Sequence, residues 1–191
     1  MEAESTFEEF VREAWEHQHT EGALSTKDTE ALQRYLVHVL LRFLESKNTE
    51  ILSQPLLVEF FKRRHGSLAE IQEVGDAMLF RVGVIGLSMI RSSLVKIPAY
   101  VNAGANAYNI LAVRTAAKHS DESAVYAALA YNLTPYVNVL IEVSSEHIVQ
   151  PTYDHVLLVC ERYCATKSSY DRAWLIRHGV ALPKSTHGNF V

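Results

Sequence analysis

The stretch "GDAMLFRVGVIGLSMI", residues 75–90, places three glycines inside one apolar segment with helical spacing. A glycine inside a helix costs about 1 kcal/mol relative to alanine, so three of them require a compensating contact. At about 100° per residue, Gly75, Gly83 and Gly86 fall on one side of a helix that we predict over 68–91. We interpret this side as the surface on which a second helix approaches more closely than the usual distance of roughly 8–10 Å.

The next predicted helix, 98–118, supplies a matching surface. Ala99, Ala103 and Ala107 repeat every four residues and form a stripe of small side chains. The connection "RSSLVKI" is short, as is typical between neighbouring antiparallel helices. We therefore predict a close antiparallel hairpin of these two helices at the centre of a helical bundle.

Two other interpretations of the glycine segment are excluded. A transmembrane helix needs about 20 uninterrupted apolar residues, and here Arg81 interrupts the run from Ala77 to Ile90. A phosphate-binding loop needs its glycines before a helix, with a lysine or hydroxyl residue placed to meet the phosphate. These glycines lie inside the helical pattern instead.

The rest of the chain also carries helix signals and scarcely any strand signal. Capping boxes are predicted at Ser5 with Glu8 and at Ser67 with Glu70. Pro135 must kink or split the helix predicted over 121–146, because proline lacks an amide hydrogen. The fold class is thus all-α, a bundle of seven or eight helices. We expect a single domain over 1–180 and a flexible tail over 181–191.

Composition limits the function. The net charge is −4 over 191 residues, which argues against a nucleic-acid binder, since such proteins neutralise phosphates with a basic surface. The opening "MEAESTFEEF" lacks the pattern of a signal peptide, and two cysteines do not make a disulfide framework. We expect a soluble, cytoplasmic protein without membrane insertion.

Asp76 is the polar residue that fits least well, because it falls among the apolar residues of its helix. A buried carboxylate needs a partner or takes up a proton. The structural interpretation is an ion pair with Arg114 or Arg162, or a hydrogen bond from Tyr108. The functional interpretation is a site, which one carboxylate alone does not establish.

The helix from Pro98 adds polar side chains that can bind a ligand by hydrogen bonds or simply form a wet surface. Asn102, Asn106 and Asn109 line one border of its alanine stripe, and Tyr100 and Tyr108 lie towards the other. If the chain has a binding site, we expect Asp76, Tyr100, Asn106 and Tyr108 to form it.

No motif commits the chain to catalysis or to a cofactor. Cys160 and Cys164 share a helical face, but structural zinc needs four ligands, and small apolar residues are the simpler interpretation. His17 and His19 point to different faces of a helix. We predict no catalytic residue, no metal site and no cofactor.

Four segments together resemble an uncharacterised family of all-helical bacterial proteins, for which no activity is assigned. The segments, in chain order, are "GDAMLF" at 75–80, "SLVKIPAYVNAGANAYNIL" at 93–111, "VNVLIEVSSE" at 137–146 and "VLLVCERYCATKSSYDRAWLIRHGV" at 156–180. The resemblance includes Asp76, Tyr100, Tyr108 and Glu142. It departs at Lys96, Pro98 and Asn138, where the family pattern would have aspartates.

The sequence favours a non-catalytic module that acts through a protein partner or as a homo-oligomer. Short segments such as "LLVEFF" at 56–61 carry apolar residues on more than one side. The alternative is a small-molecule-binding or enzymatic bundle with an internal pocket around Asp76 and the 98–118 helix.

Overall fold

The computed structural model describes residues 2–18, 26–44, 50–85, 97–148, 156–157, 159–160, 163–164 and 169–182. Within these ranges the protein is all-α, which confirms the predicted fold class. Its contacts group into two compact units, residues 1–150 and 151–191, which are described separately. The prediction of one domain over 1–180 with a tail from 181 stays a prediction.

Nine α-helices are described, one or two more than predicted. Eight lie in the first unit and one in the second: α1 Glu2–Gln18, α2 Thr26–Leu44, α3 Glu50–Ser53, α4 Leu56–Arg63, α5 Leu68–Phe80, α6 Ile97–Thr115, α7 Ser120–Tyr131, α8 Thr134–Val143 and α9 Ser169–Arg177. Two π-helical turns, Arg81–Ile85 and Ser144–Ile148, continue α5 and α8. The count is higher because Glu50–Ser53 forms a separate turn and the helix predicted over 121–146 is split.

The helix ends follow the local sequence at most predicted positions. The capping box of Ser67 and Glu70 is present at the start of α5. Pro135 lies in the first turn of α8, and the segments 120–131 and 134–148 meet at 91°. The predicted start at Ser5 is wrong, because α1 already begins at Glu2 and Ser5 lies inside it.

The predicted central hairpin is confirmed by contacts between α5 and α6. A Cβ built on Gly75 would lie 3.3 Å from Cβ of Ala107, and one built on Gly104 would lie 3.5 Å from Cβ of Met78. Positions later in α5 therefore face positions earlier in α6, so the helices are antiparallel. The missing side chains let the backbones approach closely, as the sequence predicts.

Gly83 has a different partner from the predicted one. It lies in the π turn after α5, and a Cβ there would lie 2.5 Å from Cβ of Leu140 in α8. The π turn has a different angular spacing from an α-helix, so Gly83 faces α8 and not the 98–118 helix. Gly86 lies outside the described residues.

Each unit has its own apolar core. In the first unit the fully buried side chains come from all the longer helices and include Leu36, Leu40, Met78, Leu111 and Leu140. In the second unit Val159 packs with Trp174 and Leu175.

Among the described residues, no single helix is long and apolar enough to cross a bilayer. The helices 120–131 and 134–148 reach that length and apolar composition only together, across their 91° bend.

We expect Gly83→Ala to lower the free energy of unfolding by about 1–3 kcal/mol, as overpacking of a core does. Its Cβ would meet a Cβ of α8, which moves only with its backbone. Urea denaturation of the variant and the wild type measures the difference. Gly75→Ala is the control, since its nearest contact is 3.3 Å and a small shift accommodates it. Equal losses at the two positions would contradict the close contact at Gly83.

Candidate functional site

The candidate site is centred on Asp76, whose side chain has no exposed surface. Tyr35 Oη donates a hydrogen bond to Oδ1 at 2.5 Å, and Tyr108 Oη donates to the same oxygen at 2.9 Å. The other oxygen, Oδ2, accepts from Arg42 Nη1 at 3.0 Å. The buried carboxylate therefore has three donors from two other helices, α2 and α6.

Local structure explains why these groups meet. Tyr35 and Arg42 are two helical turns apart in α2 and share one face. Tyr108 is adjacent to Ala107, which packs on Gly75 in the central hairpin. Ring carbons of Tyr108 lie 3.5 Å from the position that a Cβ of Gly75 would occupy. The glycine thus makes room for the phenol ring that bonds to the next residue, Asp76.

The protonation of the cluster follows from burial and charge. Burial raises the pKa of Asp76, while the hydrogen bonds from both tyrosines and the charge of Arg42 oppose that rise. Burial, followed by the negative charge of Asp76, raises the pKa of Tyr35 and of Tyr108 well above the usual value. Both phenols therefore keep their protons and remain hydrogen-bond donors at physiological pH.

A third tyrosine completes the surroundings of the carboxylate. The ring centroid of Tyr126, in α7, lies 5.9 Å from that of Tyr35 and 6.2 Å from that of Tyr108. Burial and the charge of Asp76 raise the pKa of Tyr126 to about 12. Edge-to-face and stacked ring pairs of this kind stabilise by about 0.5–1.5 kcal/mol beyond their buried area. The tyrosines thus connect α2, α6 and α7 around Asp76.

The predicted partners of Asp76 are partly correct. Tyr108 is confirmed as a hydrogen-bond partner. The cation, however, is Arg42 from an earlier helix, whereas Arg114 donates to the carbonyl oxygen of Gly66 at 2.8 Å. Arg162 lies outside the described residues. The sequence cannot indicate Arg42, because the pairing of α2 with α5 depends on the whole bundle.

The other two predicted site residues lie away from this cluster. Tyr100 is partly buried, and its ring centroid lies 5.7 Å from the guanidinium carbon of Arg81. Asn106 is exposed, as are Asn102 and Asn109. Of the four predicted site residues, the structure therefore brings together only Asp76 and Tyr108. The binding of a ligand by these residues stays a prediction.

Sequence reasoning missed a second buried carboxylate site, at Glu142 in α8. Its Oε1 lies 2.6 Å from Nδ1 of His17, and its Oε2 accepts from Nε2 of Gln18 at 2.9 Å. Burial raises the pKa of Glu142, and the hydrogen bond to Glu142 raises the pKa of His17. These contacts attach the end of α1 to α8. No sequence signal indicates them, since the partners are more than 120 positions apart.

A surface cleft of about 480 Å³ lies between α1 and α2. It is lined by Ser5, Glu8, Glu9, Arg12, Glu30, Gln33, Arg34 and Val37. Small-molecule sites are usually lined mainly by apolar side chains, so this charged cleft is a weak candidate. Among the residues that the structure describes, no group of three or more His, Cys, Asp or Glu side chains is placed to hold a metal ion.

Chemically, the Asp76 cluster is arranged to hold helices together. A general acid or base must come within hydrogen-bond distance of its substrate, directly or through one water. Asp76 and Tyr108 have no exposed surface, so a ligand reaches them only if helices separate. The described geometry therefore favours a structural role.

The chain matches no protein-family model, no curated protein and no solved structure.

We expect Asp76→Ala to lower the free energy of unfolding by about 3–5 kcal/mol, because the change leaves Arg42, the buried phenol of Tyr108 and the partly buried phenol of Tyr35 without their acceptor. Thermal and urea denaturation measure the loss. Asp121→Ala is the matched control: Asp121 pairs with Lys27 at 3.2 Å, but both side chains are exposed, and such pairs contribute about 0–1 kcal/mol. An Asp76→Ala protein as stable as the wild type would contradict the structural role and favour a binding site.

We also expect stability to fall as pH rises through the titration of His17. Its pKa in the folded protein is raised above 6.5 by Glu142, with smaller contributions from Glu146 and Glu13. The contribution of His17 to stability is therefore fully present below pH 6.5 and is lost as pH rises through the higher, folded-state pKa. Urea midpoints measured across this range report the loss.

Two variants serve as comparison for this pH profile. His17→Gln should flatten the fall, because glutamine does not titrate. His119→Gln, which changes an exposed histidine at the start of α7 that makes no side-chain cap, should keep the wild-type profile. The same slope in all three proteins would rule out the His17–Glu142 pair as its source.

Proposed function

We propose that this chain is a non-catalytic helical module that acts by associating with protein, copies of itself included. The observation that carries the proposal is that α4 is apolar on two sides. Leu56 and Phe60 are buried in the core, whereas Val58 is 47% exposed and Phe61 is 62% exposed. One apolar face suffices to pack a helix on its own core, so the second face is available to another protein.

Three buried acidic groups of the first unit support this proposal, because each is occupied by neighbours within the fold. Asp76 and Glu142 are held as described above, and the carboxylate of Glu59 accepts from Lys62 at 2.8 Å and from Arg63 at 3.0 Å. A carboxylate that works as an acid, base or nucleophile must instead reach a substrate. The described carboxylates of the interior are thus suited to fixing helix positions.

The alternative function is a ligand-binding or enzymatic bundle with a pocket around Asp76, Tyr100, Asn106 and Tyr108. It requires these four side chains to converge on one space. Asp76 and Tyr108 are closed off from solvent, while Asn106 faces it. This separation favours association over ligand binding. We also keep as proposals a bacterial source, which the resemblance implies, and a cytoplasmic location, which the composition suggests.

Native mass measurement tests the proposal directly. We expect the purified full-length chain to appear as a dimer or larger species, with a mass at least twice the 21.5 kDa of one chain. Dilution should dissociate it, because association depends on concentration. A strictly monomeric profile at every concentration, combined with an absorption spectrum that reveals a bound cofactor, would favour the alternative.

A further inference from the structure

Two exposed apolar side chains and three charged ones lie around the turn that joins α4 to α5. They are Phe61 and Arg64 at the end of α4, Leu68 and Glu70 at the start of α5, and Arg114 near the end of α6; we call this set the corner patch. Phe61 is 62% exposed and Leu68 is 37% exposed. The guanidinium carbon of Arg64 lies 5.5 Å from the centroid of the Phe61 ring.

The hydrogen bonds of the turn hold the patch together. Arg114 Nη1 donates to the carbonyl oxygen of Gly66, which brings the end of α6 to the turn. The Glu70 carboxylate folds back onto the same turn, where the backbone amide of Ser67 donates to Oε2 at 2.8 Å. These two hydrogen bonds place a cationic and an anionic side chain at the turn that joins α4 to α5.

The charges of the patch differ from those beside it. Arg63 is paired with Glu59 and Glu73, and Lys62 is paired with Glu59. Within the described part of the chain, Arg64, Arg114 and Glu70 have no ion-pair partner. Two cations and one anion therefore remain to meet charges of another protein.

We infer that the corner patch is the two-fold interface through which a second copy of this chain binds. Around a two-fold axis each patch meets an identical patch, so its surface must be complementary to itself. A patch with only one sign of charge would repel its copy. Here Arg64 or Arg114 of one copy can face Glu70 of the other while the Phe61 rings meet at the centre. Aromatic and arginine side chains are also those enriched at the energetic centres of interfaces.

The inference rests on the proposed function and names its partner, and variants of the full-length chain test it by sedimentation across a range of concentrations. We expect Phe61→Glu to weaken dimerisation at least about tenfold, as loss of a central aromatic anchor does. Because Phe61 is mostly exposed, the variant should keep the helical circular dichroism of the wild type. Arg64→Glu gives a second, independent disruption, since it places a carboxylate opposite Glu70 of the other copy.

One control and one further variant separate the patch from general effects. Tyr131→Ser removes another exposed aromatic residue, at the end of α7 and 92% exposed, and should leave dimerisation unchanged. Glu70→Gln should weaken dimerisation by removing the negative charge while keeping the cap, since glutamine also serves in a capping box.

The outcomes distinguish this inference from the function on which it rests. A wild-type dimer that is unaffected by both Phe61→Glu and Arg64→Glu overturns the corner patch and leaves association intact. Dissociation by Tyr131→Ser alone places the interface elsewhere and also overturns it. A wild-type chain that stays monomeric at every concentration overturns the inference together with self-association.

Discussion

The carboxylate of Asp76 constrains the first unit more than any other described group. A carboxyl group without exposed surface gives up its hydration on folding, which only well-placed partners offset. Its donors come from α2 and α6, so those helices must deliver Tyr35, Arg42 and Tyr108 to one point beside α5. Apolar packing alone tolerates sliding and exchange of side chains, whereas this arrangement fixes the relative positions of three helices.

The small residues and the polar cluster depend on each other. The hydrogen bond from Tyr108 requires α6 to lie close to α5, and the space beside Gly75 admits Ala107 and the Tyr108 ring at 3.3–3.5 Å from the place of a Cβ. Gly104 makes similar room one turn away, facing Met78 and Leu133. Glycines that weaken a helix in isolation are thus suited to this position, because a side chain larger than alanine at Gly75 would meet the phenol that donates to Asp76.

The sequence predicts contacts that form within one helix or between two helices adjacent in the chain. The hairpin follows from the spacing of Gly75 and the alanines, and Tyr108 follows as a partner of Asp76 from the pairing of adjacent helices. Arg42 does not follow, because its contact depends on which distant helix packs on α5. The same holds for His17 and Glu142, which are in contact but lie 125 positions apart in the sequence. The partner of Gly83 is missed because helical periodicity assumes a constant angle per residue, and a π turn changes it.

The π turn at Arg81–Ile85 makes the number of residues in this segment important in its own right. Such a turn bonds across five positions instead of four, so it holds one residue more than an α-helical turn. Deleting a single residue here would let the turn revert to α geometry, in which the side chains of the segment are spaced by about 100° each. Gly83 would then no longer face Leu140. In this segment chain length, as well as residue identity, determines which helices become neighbours.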